Sequence, residues 1–316
     1  MLRIAFLACF FLPALASAQG VPTAKPIPQM QVTPLPGEQA AVEWQGREIS
    51  RYYFGSDLRR PFLYPLVGPS GKSLTRMGHP RDPHGHRHHN SIWVSHHDVG
   101  GVGFWNDVTK GNIVHKRVTR YEDTDEEALI EANNAWNDEA GKTLLDEVRT
   151  MRFRPLAAGQ WLLVLDVQLT APKESVTIGK TPFGLVGVRM AKSIGVHDGG
   201  GTIRNSEGGV NEEGVFWKPA RWCDYSGQIT PTAQEGVTLM DHPSNPNHPT
   251  VFHVRNDGWM GTCLTFDAPR TLEPGAPLKL RYGLFVHAGV PAADEINKQF
   301  AAFAKIGDPP PIPLKK

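Results

Sequence analysis

Cysteine is scarce in this chain of 316 residues: there are three, and Cys9 lies close to the amino terminus. The other two, Cys223 and Cys263, cannot build a disulfide scaffold, so stability has to come from a hydrophobic core. Sequence alone does not fix whether they pair. A charge bias of either sign is also missing: Lys and Arg total 33 against 32 for Asp and Glu. With no basic stripe, the sequence argues against nucleic acid and anionic membranes as partners. Long apolar runs are confined to the start. Residues 1–18 read as a secretory signal, with Arg3, an apolar run over residues 4–15, and Ala16-Ser17-Ala18 as a small-x-small cleavage site before Gln19. No later stretch approaches the ~18 apolar residues of a spanning helix. The expectation is export to the periplasm or beyond the cell, with no membrane association after cleavage.

Helical periodicity is rare too. It is clear only after Pro291, where Ile296, Phe300 and Phe303 recur at i, i+4 and i+7. Asp294 and Glu295 occupy the first turn and Lys305 follows the end, as the helix dipole prefers, which predicts a helix over residues 294–304. The dominant signal is alternation. Every odd position from Trp161 to Leu169 is apolar, whereas Asp166 and Gln168 fall on the other face, and residues 278–286 alternate likewise. Shorter strand candidates are residues 40–44, 51–54, 113–120, 129–133, 148–154, 184–190, 251–254 and 261–266, punctuated by 32 Gly and 27 Pro. No internal repeat is visible. The pattern predicts an all-β fold, a large antiparallel β-sandwich with one C-terminal helix. It divides the chain into a signal peptide (1–18), a flexible lead-in rich in Pro, Gln, Thr and Ala (19–38), a single sandwich domain (39–308) and a Pro-rich tail (309–316).

Three segments are dense in chemistry. In residues 82–98, His84, His86, His88, His89, His96 and His97 crowd together, out of 13 histidines in the chain, and Trp105 follows closely. Imidazole can act as acid, base or metal ligand near neutral pH. The intervening Trp93-Val94-Ser95 reads as a short strand. Residues 199–227 form a glycine-rich stretch carrying Arg204, Glu207, Trp217, Lys218, Arg221, Trp222 and Asp224. Its glycines lack the spacing and strand-to-helix setting of a nucleotide loop. Residues 239–249 hold Asp241, His242 and His248 among prolines that favour a rigid extended loop, with His253, Asp257 and Trp259 close behind.

The stretches 82–107, 181–189, 204–208, 216–225 (Phe216-Trp217-Lys218-Pro219-Ala220-Arg221-Trp222-Cys223-Asp224-Tyr225) and 241–248 together resemble the DUF6807 family. Its members often carry a "PmoA" or "methane oxygenase" label. That label conflicts with a chain lacking any membrane span after its leader. The resemblance implies an exported β-sandwich protein similar to galactose-mutarotase-like supersandwiches, from bacteria that degrade polysaccharides. It supplies no catalytic residues.

Three chemistries stay open. The first is acid/base work on a sugar or glycoside, of epimerase, mutarotase, lyase or hydrolase type. His88 or His89 would face Glu207 or His248, and Arg204, Trp217, Lys218, Arg221, Trp222, Asp224, Asp241, His242 and Trp105 would bind substrate, with no cofactor. The second is a divalent-metal site built from His84, His86 and His88. With His89 this string resembles the His-x-His-x-Asp-His site of metallo-β-lactamase-like hydrolases, but His88 stands where the aspartate belongs and the strand–helix alternation of that fold is missing. The third is non-catalytic glycan binding on tryptophan faces. The three dense segments are expected to converge on one pocket, with Glu207 and His88 as the preferred proton-transfer pair.

Overall fold

The structure, a computed structural model, describes residues 26–78 and 86–309. The signal peptide, His84 and nearly all of the Pro-rich tail lie outside the described residues. Strands in chain order are β1 (Met30–Leu35), β2 (Gln39–Trp44), β3 (Arg47–Tyr53), β4 (Phe62–Leu66), β5 (Ile92–His96), β6 (Asn112–Asp123), β7 (Ala128–Asn137), β8 (Thr143–Pro155), β9 (Trp161–Thr170) and β10 (Val176–Ile178). They continue as β11 (Gly184–Arg189), β12 (Thr202–Asn205), β13 (Lys218–Pro219), β14 (Trp222–Thr230), β15 (Ala233–Asp241), β16 (Val251–Arg255), β17 (Trp259–Cys263), β18 (Arg270–Leu272) and β19 (Leu278–Ala288). Helices are short: α1 (Val196–Gly199), α2 (Asn211–Val215) and α3 (Ala293–Phe303).

The strands make a nine-stranded sheet, β1-β2-β3-β4-β5-β11-β17-β16-β13, an eight-stranded sheet, β12-β14-β15-β19-β9-β8-β7-β6, and a two-stranded ribbon, β10-β18. All named strand pairs are antiparallel. The fold is therefore the all-β sandwich that alternation predicts. Leu163, Leu165 and Val167 of β9 and Leu280, Tyr282 and Leu284 of β19 share one buried cluster with Ile92 and Val94 of β5, Val186 and Val188 of β11, and Met260 of β17. Each such side chain contributes roughly 1.5–3 kcal/mol when fully buried, so this interior dominates the stability.

Period-two geometry sends the intervening residues to the outer faces. On the eight-stranded sheet, Leu162, Val164, Trp222, Met240 and Phe285 receive Ile296, Phe300 and Phe303 of α3. The helix thus lies across the outer face of that sheet. Gly283 sits beneath it, where a β-carbon would come within 3.0 Å of the Phe303 ring.

Residues inside the presumed lead-in form β1, which pairs with β2 along its whole length. The glycine-dense stretch also holds more strand than its composition announces. In β14, Cys223 and Tyr225 enter the central core while Trp222 turns outward beneath α3. Both cysteines are buried free thiols. Cys223 lies in the eight-stranded sheet and Cys263 in the nine-stranded one, and burial pushes both thiols upward, away from the reactive thiolate.

A candidate active site on the outer face of the nine-stranded sheet

On β5, Ile92 and Val94 fill the core, so Trp93 points outward; on β17, Trp259 does the same. Two glycines make room for these indoles. A β-carbon at Gly187 would lie 2.4 Å from Trp93, and one at Gly261 would lie 2.4 Å from Trp259. Phe62, Trp93, Trp105 and Trp259 form a buried aromatic cluster, with Phe183 packed against it.

The segment after β5 folds back over this face. The Phe104 N–H donates to the His96 carbonyl at 3.0 Å, and the Ser95 hydroxyl donates to the Phe104 carbonyl at 2.9 Å. Arg60 then clamps two chain segments at once. Its Nη1 donates to the His88 carbonyl (3.0 Å) and Asn90 Oδ1 (2.8 Å), and its Nη2 to the carbonyls of Phe104 and Trp105 (both 2.9 Å). Burial lowers this guanidinium to about 10, so it remains cationic at neutral pH. Nothing in the sequence singled out Arg60, because its partners are mainly backbone carbonyls of residues distant along the chain.

The result is a cavity of about 480 Å³, within the range of about 300–1,000 Å³ typical of small-molecule sites. Its walls include His88, Trp105, Asp107, Phe183, His253 and Trp259. His89 is stacked on Trp93 at 5.2 Å and on Trp259 at 5.6 Å between ring centroids. His88 meets His89 edge-on at 4.4 Å and Trp105 at 6.5 Å. On the far side, His253 lies 5.1 Å from Phe183 and 5.2 Å from Trp259. Trp105 stands between, 5.6 Å from Trp259 and 5.7 Å from Phe183. Asp257 also lines the cavity and is engaged by the buried Arg189 at 2.9 Å. Arg255, another lining residue, pairs with Glu212 at 3.2 Å.

Burial lowers His89 well below the ordinary histidine range and lowers His253 to about 4. Both are therefore neutral at pH 7. Their Nδ1 atoms are buried without a hydrogen-bond partner, and the His253 ring is held by a hydrogen bond to the Pro182 backbone. His96 differs. Its Nδ1 meets the Asp98 carbonyl at 2.8 Å and its Nε2 the Thr265 hydroxyl at 2.9 Å, so it is a satisfied structural histidine, lowered by burial to about 4.

These histidines set a pH dependence. The unfolded chain takes up their protons near the ordinary value of about 6.5, whereas folded His96 and His253 resist protonation down to about 4. Their contribution is complete above about 6.5 and is lost as pH falls toward 4, up to about 3 kcal/mol for each. Urea midpoints measured between pH 7 and 4.5 should fall on acidification, with a shallower fall in His96→Asn. A flat profile would contradict the burial assigned to these rings.

The three dense segments divide between the two outer faces. His86, His88, His89, His97 and Trp105 line the cavity together with His253, Asp257 and Trp259. Glu207 lies in solvent beside Arg221, 3.8 Å away, and Arg221 sits over Phe300 of α3. His248 donates from Nδ1 to Asp241 at 2.8 Å and stacks on Phe300. His242 is held by Ser244 and the Ala304 carbonyl. Trp222 is buried, its indole N–H on Asn297 of α3 at 3.0 Å. Arg204, Ser226, Thr238 and His287 all bond to buried Asp224 at 2.7–2.9 Å.

Glu207 and His248 thus belong to the α3 side, and no contact joins Glu207 to His88 among the described residues. The physical reason is that both dense loops cross the sandwich. β13 belongs to the nine-stranded sheet and β14 to the eight-stranded one; β15 belongs to the eight-stranded sheet and β16 to the nine-stranded one. Only Trp217 and Lys218, at the β13 edge, stay on the cavity's sheet. Among the described residues no three His, Cys, Asp or Glu side chains are arranged to hold a metal ion. His84, one of the three ligands in the metal reading, is outside them. No described helix is long and apolar enough to cross a membrane.

The molecule is thus an antiparallel β-sandwich carrying a histidine- and tryptophan-lined cavity on the outer face of its larger sheet. It belongs to the DUF6807 family, a family of unknown function whose model matches residues 39–301. No curated protein matches the sequence. Among solved structures, a polysaccharide lyase is 11% identical with a TM-score of 0.34, covering 89% of this chain and 35% of its own. A heparinase III is 10% identical with a TM-score of 0.33, covering 86% of this chain and 36% of its own. This chain therefore spans about a third of the length of these two proteins. A GalM/aldose epimerase homologue from C. elegans is 9% identical with a TM-score of 0.35, covering 82% of this chain and 99% of its own.

Proposed function

We propose that this protein is a carbohydrate-active enzyme that moves a proton on a sugar held in the cavity. The observation that carries the reading is a single cavity whose lining joins Trp105, Phe183 and Trp259 with two imidazoles, His88 beside Trp105 and His253 beside Trp259. A sugar ring has an apolar face that packs on aromatic rings and a rim of hydroxyls that needs polar partners. Proton transfer needs one group to accept and another to give. A neutral His253 is competent to accept at pH 7, and His88 lines the same cavity. Of the cavity carboxylates, Asp257 is committed to Arg189. Two-carboxylate glycoside hydrolysis is therefore less well served than isomerisation or β-elimination. Export through the amino-terminal leader belongs to the same reading, because polysaccharides are met outside the cell.

The test is to incubate the purified protein with neutral and acidic mono- and oligosaccharides and follow them by proton NMR. Anomer exchange marks a mutarotase, solvent deuterium at a ring carbon an epimerase, a new vinylic proton a lyase, and a new reducing end a hydrolase. Saturable binding with no change in any sugar would make the protein a glycan-binding module.

A further inference from the structure

One large aromatic residue beside the cavity remains in solvent. Trp217 is 45% exposed and immediately precedes β13, the edge strand of the nine-stranded sheet. Its N–H donates to the Phe252 carbonyl at 2.9 Å. Its φ of 55° is left-handed, a conformation that bulky side chains rarely adopt. The indole stacks on Phe216 at 4.5 Å and 20° and leans on Phe266 at 5.7 Å. With Pro219, Asn247, Pro249 and Asp267 it lines a pocket of about 250 Å³.

This pocket adjoins the cavity through one side chain. His253, which touches Phe183 and Trp259 inside the cavity, also lies 5.0 Å from Phe216 and 6.3 Å from Trp217. A cavity-lining imidazole is therefore in ring contact with the indole that lines the pocket. Asn247 donates to the Leu264 carbonyl at 3.2 Å, which leaves its amide oxygen to accept from a ligand. An aromatic face flanked by an amide and a carboxylate matches a sugar. A stable protein interface needs roughly 1,200–2,000 Å² of buried surface, far more than one indole and its neighbours offer.

We propose that Trp217 is the platform of a second sugar position, so that the substrate is an oligosaccharide with one residue in the cavity and the next on the indole. This rests on the carbohydrate reading of the cavity. The test uses the full chain and five matched pairs: glucose and cellotetraose, xylose and xylotetraose, mannose and mannotetraose, N-acetylglucosamine and chitotetraose, galacturonate and tetragalacturonate. Affinity is read by calorimetry, or as kcat/KM where a pair is turned over. At least one tetramer should exceed its monomer by roughly 10- to 100-fold, the range in which a single aromatic anchor acts.

Trp217→Asn keeps a residue type that tolerates the left-handed backbone and removes the face, so the ratio should fall to near one; Trp217→Phe should restore part of it. Binding in which no tetramer exceeds its monomer, or a ratio unchanged in Trp217→Asn, overturns the second position alone. Failure of all ten saccharides to bind overturns the carbohydrate reading on which it rests.

Discussion

Replacing His253 by asparagine is expected to lower turnover of the responsive sugar by ~10²–10⁴-fold, the usual contribution of a positioned acid or base. Asparagine retains polarity and much of the volume but cannot exchange a proton at neutral pH. The loss should therefore appear in kcat, with KM changing little, because the aromatic wall of Trp105, Phe183 and Trp259 is untouched. The pH profile supplies a second readout. A base lowered to about 4 by burial keeps wild-type activity flat from neutrality down toward that value and loses it below. His88→Asn should act on the same step, and the double variant should be little worse than either single one, as for residues that work as a unit. Wild-type kcat in both single variants would remove proton transfer by these imidazoles and leave the binding reading.

The strand and helix pattern was legible because it is written in short-range periodicity. Leu163, Leu165 and Val167 alternate with Val164, Asp166 and Gln168, and that suffices to place β9 with one face in the core. Ile296, Phe300 and Phe303 likewise mark the buried stripe of α3. β1 was hidden because it sits among Pro, Gln and Thr, and its pairing with β2 supplies the order that its composition withholds. The site was half legible. Histidine density pointed to His88 and His89, and Trp105 came with them.

Glu207 and His248 were grouped with those histidines by chemical complementarity, which carries no information about which sheet a residue joins. The crossing from β13 to β14 takes two residues and that from β15 to β16 takes nine, and they separate Trp217 from Trp222 and His248 from His253. His253 and Trp259 were within sight in the sequence, and the available signal was their outward parity on strands whose Val254 and Met260 face the core. Arg60 had no such signal at all.

Asp224→Ala should cost about 3–5 kcal/mol of stability, the penalty for breaking a buried charge arrangement from one side. The carboxylate is fully buried and accepts from four groups: Arg204 and Ser226 on Oδ2, His287 and Thr238 on Oδ1. Removing it strands the buried His287 ring and two hydroxyls without their acceptor and leaves the Arg204 guanidinium with only the Pro291 carbonyl. Burial alone would raise this carboxyl. His287 and Arg204 outweigh that and hold it down to about 2. Its contribution is therefore present above the ordinary aspartate value of about 3.9 and disappears as pH falls from there toward 2. Asp224→Asn, which keeps the shape but can no longer accept at both positions, should lie between the variant and wild type. Chemical denaturation at pH 7 measures the loss, and ligand affinity of the folded fraction, measured below the unfolding transition, should stay at the wild-type value because no cavity-lining residue touches Asp224. A stable Asp224→Ala protein that has lost sugar binding would reverse this assignment and return Asp224, with Arg204, to the ligand.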